Sequence, residues 1–461
     1  MKKTETLLQR RFQEAFEDFA GDDFAAGFRK EAFEKFMSLG FPSVKEESWR
    51  KTDLTEVLGR DYVINYKDKQ RSTELKSMFE CKVNDFDTDL FTMINGWCSG
   101  SALDYKADNG LIITSVNSAI KEYGELFGKY FNSLARDENN GLVALNTAFY
   151  SDGYFIYVPD NVEFERVIQI VNLIDTQKSI FSNTRNLVVV GKNAKLKLVH
   201  CDDSLSTNGS LVNNVTEFFV EDGGSIDFYK LQNKDEEATV LTTNFMQQGR
   251  DTHVRSNTIT LNGGLIRNET KLKMAGRGGA SEIYGLYLVD RKQFVDNHVT
   301  VEHAVSDCSS TQLFKGIADE EARAVFNGHI LVAQDAQRTE AFQNNNNIQL
   351  TDTASVSTHP FLEIYADDVK CSHGATVGQL DTEALFYMMQ RGICERTARM
   401  LLMYSFTGEV IDKIRLSALK ETIQDLVTRR LKGELSACEN CALSCDDPDA
   451  VITFDIDVSK I

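Results

Sequence analysis

For roughly two hundred residues from Tyr154, the chain carries short β-type runs and no helical periodicity. The runs include Leu187–Val190, Leu196–Val199, Phe218–Val220, Ile226–Tyr229, Ser256–Leu261 and Ile283–Val289. Turn signals part them: Gly191-Lys192-Asn193, Asp222-Gly223-Gly224, Gln248-Gly249, Asn262-Gly263-Gly264 and Gly276-Arg277-Gly278-Gly279. Such a region folds as a β-solenoid or a large sandwich. The spacing between turns is uneven, so the residues themselves leave both architectures open.

Helical patterns flank this region. Leu8, Phe12, Phe16 and Phe19 recur at spacings of three or four, and Phe24, Phe28, Phe33 and Phe36 continue the stripe after Gly21. An aromatic stripe of this kind is a packing face more often than a binding box. Pro42 ends the unit, residues up to about 140 are mixed, and a helix is expected over Val116 to Leu134. Beyond the β-region, Glu383 to Gln390 reads as a helix capped by Asp381. Leu402, Phe406, Val410 and Ile414 then mark a second helix, and Leu419, Ile423, Leu426, Val427 and Leu431 a third. The expected organisation is an N-terminal helical and mixed domain (1–150), a β core (151–380), a C-terminal helical domain (381–435) and a cysteine-rich tail (436–461).

The chain has 461 residues, with 42% hydrophobic and 26% charged, a globular composition too long for one ordinary core. No apolar run approaches eighteen residues, so no membrane span is expected, and the N-terminus has no apolar core of a secretory signal. Nine cysteines, odd in number and widely spread, fit a reducing compartment, so the cytoplasm is the expected location. A net charge of −19 speaks against nucleic acid and anionic lipid as partners. There is no G-x-x-x-x-G-K-[ST], G-x-S-x-G or H-E-x-x-H, and Gly276-x-Gly278-Gly279 reads as a tight turn between strands. Nothing here demands an enzyme.

The densest chemistry lies in Leu362–Gly392. An alternating strand runs into Cys371-Ser372-His373-Gly374, then a glycine-bounded turn, then the helix after Asp381. On an extended backbone Cys371 and His373 share a face while Ser372 points away. A thiolate beside an imidazole is a half-site for iron, zinc or copper, or a proton-transfer pair. The other six histidines (His200, His253, His298, His303, His329, His359) read as hydrogen-bonded fillers of a β-rich core.

This segment resembles the SufB/SufD family of iron–sulfur cluster assembly proteins. Cys-Ser-His-Gly-Ala-Thr-Val-Gly followed by Leu-Asp is similar to the SufD form; the SufB form has a Glu between Cys and His. Glu47-Ser48-Trp49-Arg50-Lys51-Thr52-Asp53-Leu54 resembles the family's N-terminal signature, with Lys51 where an aromatic is usual. Ala144–Phe149, Asp152-Gly153, Val158-Pro159, Phe326-Asn327-Gly328 and Ala336-Gln337-Arg338-Thr339 follow in the family order. His359 stands where Lys is commoner, and the tail after Gly433 has no counterpart in the general pattern.

The resemblance implies a fold that is mainly β with helical caps, a right-handed parallel β-helix between helical domains. It implies a non-catalytic subunit of the SufBCD complex. Cys371 and His373 would lie at the interface with SufB, holding a transient iron–sulfur cluster or iron shared with it and nothing tightly bound to the isolated chain. The C-terminal helices, with Leu402, Phe406 and Val410, would dock the SufC ATPase, and the isolated chain could pair with itself. Two other readings are a SufB-like scaffold that holds the nascent cluster itself and a β-helix enzyme acting on polysaccharide.

The tail carries Cys438, Cys441 and Cys445 as C-x-x-C-x-x-x-C, three soft ligands that could hold a thiophilic metal given a fourth from elsewhere. Phe454, Ile456 and Val458 alternate just beyond, a pattern that could add a strand to a sheet edge.

Overall fold

The computed structural model describes residues 6–19, 26–65, 88–98 and 104–432. From Tyr154 to Gly378 sixteen strands alternate between two sheets, each strand pairing in parallel with the one two places on. One sheet ends on Ser355–Ile364 and the other on Val369–Gly378. The result is a β-solenoid of about seven turns, the first of the two architectures.

Register is kept from rung to rung by stacked apolar side chains. Val188 pairs with Phe218, Phe218 with Met246, Met246 with Leu272 and Leu272 with Val301, all buried in one core that fills half of the lumen. A matching stack sits at one corner. Asn193, Gly223, Asp251, Gly278, Asp307 and Arg338 each turn the chain with positive φ, at successive separations of 30, 28, 27, 29 and 31 residues. Rung length thus varies in the turns while the strands stay aligned, which hides the repeat. At Gly223, where φ is positive, a Cβ would stand 2.2 Å from the present position of Asn193 Oδ1, so glycine suits the close stacking there.

The other half of the lumen is polar. Asn186 donates to Asn214 Oδ1 (2.8 Å), Thr260 to Gln232 Oε1 (2.8 Å), Asn268 to Asn297 Oδ1 (3.1 Å) and Gln343 to Gln312 Oε1 (2.8 Å). Lys230 lies 3.1 Å from Asp202, both buried, with His200 3.3 Å from the same carboxylate. Ladders of this kind give each of these buried side chains at least one polar partner.

The N-terminal region closes the starting end of the solenoid and is not separate from it. Thr88–Ile94 pairs in parallel with Val167–Ile174, and Ile112–Ser115 antiparallel with Tyr154–Val158. The phenylalanine stripe packs: the Phe12 ring centroid lies 4.8 Å from Phe149 and 5.1 Å from Phe181. The Trp49 signature latches onto the outer face of the 11-stranded sheet. Arg267 stacks over Trp49 at 3.9 Å and pairs with Asp296, which also accepts from Thr52. Burial works against the Asp296 charge, but Arg267 holds its pKa below the usual value. The helix expected over Val116–Leu134 is instead two short ones, Val116–Glu122 and Gly124–Tyr130. They break at Tyr123, and Phe127 reaches Phe155 at 5.5 Å.

The C-terminal helices Glu395–Ile411 and Ser417–Leu431 lie on the outer face of the 10-stranded sheet, sharing a core with Leu286, Leu288 and Ile317. Arg430, fully buried, anchors the last helix on Asp290 (2.6 Å) and on the Leu261 carbonyl (2.8 Å). Among the described residues no helix is long and apolar enough to cross a membrane.

His303 offers a test of the lumen. It is fully buried, with Nε2 2.8 Å from Ser310 Oγ, and burial pushes its pKa down to about 4. The fold therefore holds the neutral ring, which is fully stabilising above the unfolded value of about 6.5 and loses that contribution as pH falls toward 4. Unfolding free energy should drop by about 2 kcal/mol between pH 7 and pH 5 from this group alone. Chemical denaturation at both pH values should show that increment vanish in His303→Gln.

Candidate functional site

Cys371 and His373 lie on the final strand, Val369–Gly378, and share its lumen-facing side as the two-residue spacing predicts. The register sets Cys371 beside Ala341 and His373 beside Gln343. Cys371 packs half-buried against Ile330, Val332, Ala336, Ala341 and Ala366; His373 is exposed beneath the Gln312–Gln343 pair. The expected turn over Gly374–Gly378 is strand instead: it stays paired with Asn344–Ile348. Val369–Gly378 is also separate from the strand of Leu362 and Ile364, which belongs to the other sheet.

Burial pushes the Cys371 thiol pKa up, so in the isolated chain it is a protonated thiol at neutral pH. A metal would have to displace that proton. Among the described residues no group of three or more His, Cys, Asp and Glu side chains is placed to hold a metal ion. Cys371 and His373 thus stand on one strand face, open on the side away from Thr339–Gln349.

Both sheets end here. Ser355–Ile364 and Val369–Gly378 each pair along one edge only. Of the twelve exposed large apolar side chains among the described residues, eight lie between Phe342 and Met389, so the apolar surface is concentrated at this end. Phe361, Ile364, Tyr365 and Val377 surround the last rung. Phe386, Tyr387 and Met389 project from the helix Thr382–Gln390, which buries none of its residues. Asp381 starts that helix by accepting from the backbone N–H groups of Glu383 (2.9 Å) and Ala384 (3.0 Å).

The expected docking stripe on the second C-terminal helix is largely used internally. Val410 is fully buried, and Leu402 and Phe406 are half-buried against the core shared with the solenoid. On the same helix Arg396, Ser405 and Glu409 are exposed, and Glu409 reaches back to pair with Lys315 of the solenoid. Cys438, Cys441 and Cys445 lie outside the described residues.

One grouping escaped the sequence. His298, His329 and His359, read singly as fillers, line one cavity of about 770 Å³ between the Glu46–Lys51 segment and the outer face of the 11-stranded sheet. His298 and His359 flank Asn327 in register, and His329 pairs with Glu363 at 3.1 Å. The signal was present as separations of one rung, 29 residues from His298 to Asn327 and 32 to His359, but it needed the rung length to be known.

Cys394 contrasts with Cys371. It is exposed, 3.1 Å from Thr397 Oγ1, and hydrogen bonding to Thr397 lowers its pKa. At pH 7 iodoacetamide should therefore modify Cys394 at least about tenfold faster than Cys371, read by peptide mass mapping. Faster labelling of Cys371 would contradict the protonated state assigned to it.

Comparison with known proteins agrees with this geometry. A model described as SUF system FeS cluster assembly, SufBD core domain, matches residues 172–406, and one for the SufBD protein N-terminal region matches 4–170. An iron–sulfur cluster assembly SufBD family protein of Synechocystis sp. is 28% identical over 433 residues, covering 92% of this chain and 95% of the relative. The SufD protein of Escherichia coli is 39% identical over 178 residues, 39% of this chain and 42% of that protein. SufD of Bacillus subtilis is 25% identical over 329 residues, 70% of this chain and 75% of that protein. With its solenoid, its helical ends and both matched regions in order, the chain belongs to the SufBD family of iron–sulfur cluster assembly proteins.

Proposed function

We propose that this chain is the SufD-type, non-catalytic subunit of a SufB–SufC–SufD complex, and that it pairs with SufB through the open end of its solenoid. The observation that carries the reading is the last rung. Cys371 and His373 sit on a strand with a free edge, amid the largest concentration of exposed apolar side chains among the described residues. A stable interface needs such a surface, and an unpaired strand edge supplies backbone donors and acceptors for it.

The same geometry supports a chemical role. An iron–sulfur cluster normally takes four protein ligands, and one thiol with one imidazole is half that set. The other half would come from SufB, so a nascent cluster or iron is held only between the two subunits. An incompletely liganded site releases its cargo readily, whereas four thiolates would not.

SufC would dock on the exposed side of the C-terminal helices. Because their inner side covers Leu286, Leu288 and Ile317, ATP-driven movement there would be felt by the solenoid wall. Deleting these helices would uncover that core, so charge reversal on exposed positions is the sounder test.

Two outcomes follow. His373→Ala and Cys371→Ala should lower cluster assembly by the complex about tenfold or more, with melting temperatures within about 2 °C of wild type. Complementation of a deletion strain and thermal melting check this; full complementation by both variants would overturn the shared site. Arg396→Glu combined with Asp425→Arg should weaken SufC binding at least about tenfold while SufB binding is unchanged. Calorimetric titration showing the same affinity for SufC would place the ATPase elsewhere.

A further inference from the structure

Inside the solenoid Ile283, Gln312, Gln343 and His373 fall in one column, each in register with the next on successive strands of the 10-stranded sheet. The column starts on an apolar side chain and ends on the last rung. Between those ends Gln343, only 3% exposed, donates from Nε2 to Gln312 Oε1 (2.8 Å). Its own Oε1 is buried and has no hydrogen-bond partner among the described residues. Native folds seldom leave a buried acceptor unmet, and one that is unmet needs an explanation.

The amide's shape says which way that oxygen faces. Oxygen and nitrogen diverge from one planar carbon, so a nitrogen committed to the preceding rung turns the oxygen toward the rung that follows. Gln312 Oε1 takes the N–H of the next residue in the column, and for Gln343 the next residue is His373. Across the lumen Gly328 presents no side chain to this amide; a Cβ there would lie 2.1 Å from Gln343 Nε2. The glycine of Phe326-Asn327-Gly328 thus leaves the amide its room.

We propose that Gln343 is the positioning residue for His373: its Oε1 accepts the Nδ1–H of the imidazole and leaves Nε2 bare toward the open end. The structure holds both halves of this bond unpaired. The oxygen is buried, while the His373 ring is exposed and makes no hydrogen bond among the described residues, so the ring has only to turn in over the column. Nδ1 stands beside the ring's attachment and is the nitrogen nearer the neighbouring strand; Nε2 reaches outward. A ring that ligates metal donates its other N–H to an oxygen in this way, which sets both its tautomer and its orientation.

The use of that tautomer rests on the reading above, in which His373 is a ligand, because only a nitrogen without its proton can ligate. The hydrogen bond itself does not depend on that reading, so its test is made on the isolated chain.

Histidine rings should be isotopically labelled and followed by nitrogen NMR, with the His373 signals assigned by their loss in His373→Gln. At about pH 9, well above the ordinary imidazole pKa of about 6.5, the ring shifts report which nitrogen carries the proton. The Nδ1–H form should dominate at His373 in the wild type. Its ratio to the Nε2–H form should fall at least about fivefold in Gln343→Leu, which removes the acceptor, and hold in Gln343→Glu, which keeps one. A dominant Nε2–H form in the wild type overturns the proposal whether or not the variants fold. So does an equal ratio in the wild type and in a Gln343→Leu chain that melts normally. In the complex, cluster assembly should fall about tenfold in Gln343→Leu and return in Gln343→Glu. Unchanged assembly with a shifted tautomer overturns the positioning role, and normal assembly by His373→Ala would then trace the failure to the ligand reading.

Discussion

A parallel solenoid satisfies each rung's backbone only through the rungs on either side of it. From Ile180 to Gln349 every strand has two neighbours in its own sheet, and the ladder holds register across changing turn lengths. The condition fails at the ends. At the start, antiparallel strands and helices of the N-terminal region meet it, with Trp49 latched on Arg267 and the phenylalanines packed around Phe149. At the finish, no described residue does. Ser355–Ile364 and Val369–Gly378 keep one edge open, and Cys371 and His373 lie on the second of these strands. The proposed site and the unpaired strand edges fall on the same rung.

The polar half of the lumen bears on the same point. Amide ladders such as Gln312–Gln343 fix inward side chains at defined heights, and His373 sits directly below that pair. Its backbone position is therefore set by strand pairing and not by loop geometry. Cys371, against Ala341 and Ala366, is held by apolar packing that also keeps it protonated. A rigid strand with a thiol that must lose its proton suits a site that forms on assembly and empties easily.

Much of this was legible in the sequence. The absence of helical period after Tyr154, the turn clusters and the Cys371-x-His373 spacing all survive in the structure, as does the packing role of Phe12 and Phe36. Strand lengths were underestimated because inward residues such as Asn186, Asn214 and Asn268 are polar, so the alternation that marks a half-buried strand is broken where the lumen is polar. Gly374–Gly378 passes for a turn by composition, yet pairing with Asn344–Ile348 holds it extended. The docking stripe at Leu402, Phe406 and Val410 has the right period for a helix face, but period alone does not say which surface covers it; here the solenoid does. The three-histidine cavity needed the rung length, which uneven turns conceal.

The central claim is that the open rung is the surface through which the chain pairs with SufB. Phe361 and Val377 are both exposed on it, so charge can be introduced at either without disturbing a core. The most direct measurement is the dissociation constant for purified SufB with wild type and with Phe361→Glu/Val377→Lys, by titration calorimetry. The account predicts at least about a hundredfold weaker binding in the variant, close to 3 kcal/mol, with the melting temperature unchanged. An unchanged dissociation constant would contradict it.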